Sequence, residues 1–86
     1  MNRLLGNTKI ALKRMDTEAL IGLAEALATQ RHDGHLCVFR LSSCWQAAFG
    51  APVRFCERRD LEALPRFKTL REALIAMIAA ELEIRP

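Results

Sequence analysis

The residues of this chain best suited to hold a metal or attack a carbonyl are His32, His35, Cys37, Cys44 and Cys56. A structural zinc ion takes four ligands that converge tetrahedrally, usually supplied as closely spaced pairs. Here the spacing is His-x2-His-x-Cys, then six residues to Cys44 and eleven more to Cys56, with no Cys-x-x-Cys. No metal and no cofactor is expected from that pattern. A Cys-His nucleophile needs a thiolate beside an oriented histidine. Strand parity places His35 and Cys37 on one face, but Cys37 is expected in an apolar core, where a thiolate is disfavoured. Asp33 and Asp60 have no partner carboxylate that the sequence can place, and there is no glycine-rich phosphate loop. The chain therefore reads as a non-enzymatic protein.

The remaining chemistry is charge. Lys9, Lys13 and Arg14 lie in a segment without acids, and Arg54, Arg58, Arg59 and Arg66 cluster further on. These seven residues are the candidate contacts for a nucleic-acid backbone, where Lys and Arg neutralise phosphates. Glu57, Asp60 and Glu62 interleave with the second group, and there is no Tyr to stack on bases. A helix-turn-helix is excluded because a strand-rich segment separates the two main helices. Nucleic-acid binding is the alternative reading, and a protein partner is the leading one.

Such residues must be positioned by a small scaffold. The 86 residues carry 51% hydrophobic and 27% charged side chains, the proportions of one ordinary globular domain. The net charge is +3, mildly basic. No apolar run approaches the roughly 20 residues of a membrane helix, and Leu4-Leu5 is too short for a signal-peptide core. Three cysteines is an odd number without a disulfide framework, which points to free thiols in a reducing cytoplasm. Cys37 and Cys56 are expected as small core residues and Cys44 at a turn.

Residues 1–14 form a basic N-terminal segment, in which Asn7 or Thr8 can cap a short helix through Ile10, Ala11 and Leu12, or the same residues can equally run as an extended arm or a solvated tail. A helix is predicted over 16–33: Asp16 or Thr17 caps it, Leu20, Leu23, Ala24 and Leu27 make one stripe, and Gly34 ends it. A second helix is predicted over 69–83, opened by the capping box Thr69-Leu70-Arg71-Glu72. Its broad stripe leaves Ile75, Ala79 or Leu82 for contact with a second copy of the chain. Leu61 to Leu64 are expected as a single helical turn.

Between the helices, residues 35–56 read as antiparallel strands. Gly34 to Gly50 contains the single Trp and two of the four Phe. An odd loop centred on Ser43 would set Cys37, Phe39, Leu41, Trp45, Ala47 and Phe49 on one apolar face, covered by both helices. Val38, Arg40 and Gln46 would then share the open face and serve a protein partner. Val53 to Cys56 could add a short third strand. The fold class is α+β: helix, hairpin with a further short strand, helix, with both helices on one sheet face. Short, capped and without catalytic residues, the chain is similar in type to small accessory proteins of bacteria and phages. Some of those, such as anti-CRISPR proteins, block a larger machine stoichiometrically. That likeness implies a protein target and transfers no residue assignments; inhibition is one role such a target allows, and the exposed face and last helix separately make a homodimer one of the arrangements expected.

Overall fold

The computed structural model describes residues 10–84. Lys9 and the proposed caps Asn7 and Thr8 lie outside them. After a helical turn at 10–13 come α1 (Thr17–Arg31), β1 (Leu36–Arg40), β2 (Trp45–Phe49), a 3-10 helix (Pro52–Phe55), α2 (Arg58–Glu62) and α3 (Leu70–Ile84). The α+β class is as read from the sequence.

Local chemistry accounts for the helix ends. Asp16 caps α1, its Oδ1 accepting from the Ala19 amide at 2.8 Å, and Glu18 lies in the positive first turn. At the other end Asp33 (φ 53°) and Gly34 (φ 81°) both turn left-handed, and the Gly34 amide reaches back to the Ala28 carbonyl at 2.9 Å. Thr69 caps α3 by accepting from the Glu72 amide at 3.1 Å. Leu20, Ala24 and Leu27 of α1 and Leu74, Ile75, Met77, Ile78 and Ala79 of α3 form the core, joined by Leu12. Ile75 and Ala79 are thus buried within the chain, and Leu82 packs against the same cluster, so they are not the outward contacts expected of them. Arg71, in the first turn of α3, donates to the Met15 carbonyl at 3.1 Å and to that of Lys13, tying the turn at 10–13 to α3.

The hairpin differs from the expected register by one residue. Leu36 pairs with Phe49, Cys37 with Ala48, Val38 with Ala47, Phe39 with Gln46 and Arg40 with Trp45. Leu41 donates to the Cys44 carbonyl at 2.9 Å, so Ser42 and Ser43 make an even, two-residue turn. A one-residue slip exchanges the two faces along a strand. The face toward α1 and α3 carries Leu36, Val38, Ala47 and Phe49, with Arg40 and Trp45 at its end; Phe39 is on the other side.

That other side is not open. The segment 52–64 folds over it: Phe55 meets Phe39 edge to face at 5.7 Å, and Gln46 donates to the carbonyls of Leu61 (2.7 Å) and Leu64 (3.0 Å). A polar side chain is tolerated inside when it is hydrogen-bonded, which is why Gln46 can be fully buried. Residues 52–55 form a 3-10 helix in place of a third strand. Pro52 opens it with a preset φ, and Arg54 donates to the Ala51 carbonyl at 3.0 Å. The free side of β2 is instead met by Phe67, through paired hydrogen bonds with Trp45 of 2.7 and 2.9 Å. The molecule is layered: two helices, a hairpin, and the 52–64 cap.

Candidate functional site

In an antiparallel pair, main-chain groups point alternately at the neighbour and away from it. Gly50 donates to the His35 carbonyl at 3.1 Å, and Leu41 bonds Cys44. The odd-numbered residues of β1 therefore face β2, while the N–H and C=O groups of Leu36, Val38 and Arg40 point outward. Among the described residues β1 pairs only with β2, so among them its other edge is unpaired.

The edge runs beside an apolar groove of about 430 Å³, lined by Ile21, Ala24 and Glu25 of α1, Gly34, Leu36 and Val38, and Leu70 and Leu74 of α3. Val38 is 40% exposed and Ile21 38% exposed. The only charged side chain on the groove wall is Glu25. At the end of β1 Arg40 lies over the Trp45 ring, 5.0 Å from its centre. The strand edge is thus apolar at Val38 and basic at its Arg40 end.

Of the three residues expected together on the face away from the helices, Val38 and Arg40 share a face, but it is the one toward α1 and α3. Gln46 is on the opposite face, buried under α2, and leaves that set because the even turn reverses its direction. Its Oε1 has no hydrogen-bond donor among the described residues.

The basic candidates are dispersed. Lys13 and Arg14 are exposed at the end of the 10–13 turn. Arg58 pairs with Glu62 at 2.9 Å and Arg59 with Glu57 at 2.8 Å, so carboxylates already face both. Arg54 lies against Gly50, where a Cβ would come within 3.0 Å of its Nη1. Arg66 and Arg58 line one small hollow, together with Glu62.

The cysteines and histidines do not converge. Cys37 is buried, its thiol directed at the Gly50 carbonyl at 3.4 Å, and burial pushes that thiol up from its ordinary pKa. Cys44 is half-buried, and Cys56 is exposed rather than in the core, because the 3-10 turn carries it outward. Among the described residues no three His, Cys, Asp or Glu side chains are placed to hold a metal.

His32 has a different role. Its ring stacks on Phe49 at 4.8 Å, and Nε2 bonds Glu81 Oε1, while Arg31 approaches Glu81 Oε2 at 3.4 Å. Burial alone would raise the Glu81 carboxyl, but its bonds and charge attraction to His32 and Arg31 outweigh it and hold the carboxyl below its usual range. This cluster went unrecognised in the sequence. The available signal was Glu81 itself, a carboxylate in step with Leu74, Met77 and Ile78 on an apolar stripe.

No family model matches the chain, and neither a curated protein nor a solved structure matches it. Among the described residues no helix is long and apolar enough to cross a membrane.

Proposed function

We propose that the protein is a non-enzymatic binding module that takes a protein partner along the free edge of β1. The observation that carries this reading is the outward row of main-chain groups at Leu36, Val38 and Arg40 beside the Ile21–Val38 groove. An extended segment of a partner adds to such an edge through main-chain hydrogen bonds, while pockets beside it select alternate side chains. Blockade of a larger assembly, the role implied by the chain's likeness in type to small accessory proteins, would use the same edge. Nucleic-acid binding has less support, since Arg58 and Arg59 are paired with carboxylates.

The test is capture of a partner by the full chain as bait, compared with an Ile21→Asp bait. Ile21 is exposed, so the substitution alters the groove and spares the fold. A partner retained by the wild type and lost by the variant supports the reading; a partner retained equally by both refutes it. For the nucleic-acid reading, DNA or RNA affinity is titrated at two salt concentrations, and phosphate contacts would show as a steep loss with salt.

A further inference from the structure

Resting on that reading of the β1 edge, we infer that its occupant is a second copy of the same chain, paired antiparallel through Val38 into a four-stranded sheet. The edge is self-complementary in register. Leu36, Val38 and Arg40 are evenly spaced about Val38, so a two-fold axis beside Val38 sets it against Val38 of the second copy and Leu36 against the second copy's Arg40. The outward groups all belong to these three residues, so in this register every outward N–H meets an outward C=O. A register one residue away would set inward-bonded groups at the interface.

The side chains agree with the backbone. Val38 lies beside the axis, and Val38 and Ile21, both exposed in the single chain and both lining the groove beside the edge, would be covered by the second copy. Arg40 of one copy would arrive over Leu36 of the other, which lines the same groove as Glu25, the one charged side chain on that groove's wall. A cation is thus brought to each groove, and the two Arg40 side chains are kept apart. An isologous interface needs this kind of self-match. Pairing would also remove the unprotected edge of a two-stranded sheet, a liability that lone edges carry.

Two measurements on the full chain decide it. The first is molar mass by sedimentation or light scattering up to on the order of 1 mM. The wild type is expected to reach dimer mass, and Val38→Lys, which sets two ammonium groups against each other, to remain monomeric with an unchanged far-ultraviolet spectrum. The second is oxidation of Val38→Cys in a Cys56→Ser background. Residues facing each other in a hydrogen-bonded antiparallel pair have Cα atoms about 5.5 Å apart, within the roughly 4.4–6.8 Å that a disulfide spans. Val38→Cys should therefore link into a covalent dimer, while Arg40→Cys in the same background, opposite Leu36, should not. A wild type that stays monomeric with Val38→Cys unlinked overturns the second-copy inference and leaves the edge for a different chain, which the bait comparison judges separately. A dimer that survives Val38→Lys with Val38→Cys unlinked overturns it as well, because association then uses another surface.

Discussion

The side-chain nitrogen of Gln46 lies 2.7 Å from the main-chain oxygen of Leu61, across the gap between β2 and α2. The same nitrogen reaches the Leu64 carbonyl at 3.0 Å. These oxygens lie at and just beyond the end of α2, where the helix runs out of its own amide donors. One amide therefore fastens the 52–64 segment to the hairpin and occupies the interior of a face that would otherwise be wet. It also decides what remains exposed: with that face covered, the part of the sheet left free among the described residues is its β1 edge.

Replacing Gln46 should accordingly release the cap. Gln46→Leu keeps the volume but takes the side-chain donor from the Leu64 carbonyl and leaves the Leu61 carbonyl to main-chain amides alone, a loss of about 1–3 kcal/mol in urea unfolding. Gln46→Glu should cost more at neutral pH, because a carboxylate set against carbonyl oxygens can only accept. Its stability should recover as pH falls and the side chain is protonated. Equal stability of both variants and the wild type would mean that the amide does not hold the segment.

The parts legible in the sequence were those set by near neighbours. Asp16 and Thr69 announce their helices because a cap bonds an amide three residues away. The hairpin itself was legible, but its facing was not. Parity gave an all-apolar face only if Gln46 pointed to water, and the carbonyls that satisfy Gln46 inside are 15 and 18 residues downstream. The same distance hid the fate of residues 52–55. Val53 and Phe55 suit a strand, but Phe67 occupies the free side of β2, and Pro52 starts a helical turn instead. Val38 and Arg40 stay together but on the face toward the helices, whereas Gln46 turns to the opposite face for partners that no local pattern announces.

Glu81 should make stability depend on pH in a defined direction. Its carboxyl is held below the usual glutamate range in the folded state, despite burial, by His32 and Arg31. A depressed folded pKa means that the unfolded chain binds the proton more readily. The contribution is thus complete above the ordinary glutamate value of about 4.3 and is lost as pH falls through the lower folded value. Urea midpoints measured across that interval should drop for the wild type more than for Glu81→Gln. At neutral pH Glu81→Ala, which strands Arg31 and His32 half-buried, should cost on the order of 1–3 kcal/mol. Parallel pH profiles for wild type and Glu81→Gln would exclude Glu81 as the source.

The turn after α1 allows two neighbouring substitutions of opposite sign. Asp33 is held at φ 53° and Gly34 at φ 81°, a region that side chains other than glycine enter at a cost. Gly34→Ala should destabilise by roughly 1–2 kcal/mol. Open space surrounds the added methyl, so the cost is conformational rather than a clash. Asp33→Gly relieves the same strain and should gain up to about 1 kcal/mol, offset in part by the greater freedom of glycine in the unfolded chain. Thermal midpoints that move in the same direction for both would contradict the left-handed turn.

The three thiols should react in the order of their exposure, which differs from the order that hydrophobicity alone suggests. Cys56 stands in solvent beyond the 3-10 helix, Cys44 is half-buried at the hairpin turn, and Cys37 is enclosed. Only the thiolate attacks a disulfide reagent, and burial raises the Cys37 thiol above its ordinary pKa, so enclosure and ionisation both protect it. An aromatic disulfide added to the native chain should modify Cys56 first and Cys44 more slowly. Cys37 should wait for opening of the hairpin, its rate rising with urea in step with unfolding. Gln46→Leu, which loosens the segment over that face, should speed Cys37 and leave Cys56 unchanged. If Cys37 instead reacted as fast as Cys56 in the native wild type, the covered face of the hairpin would be open, and the assignment of β1's edge as the free surface of the sheet would fall with it.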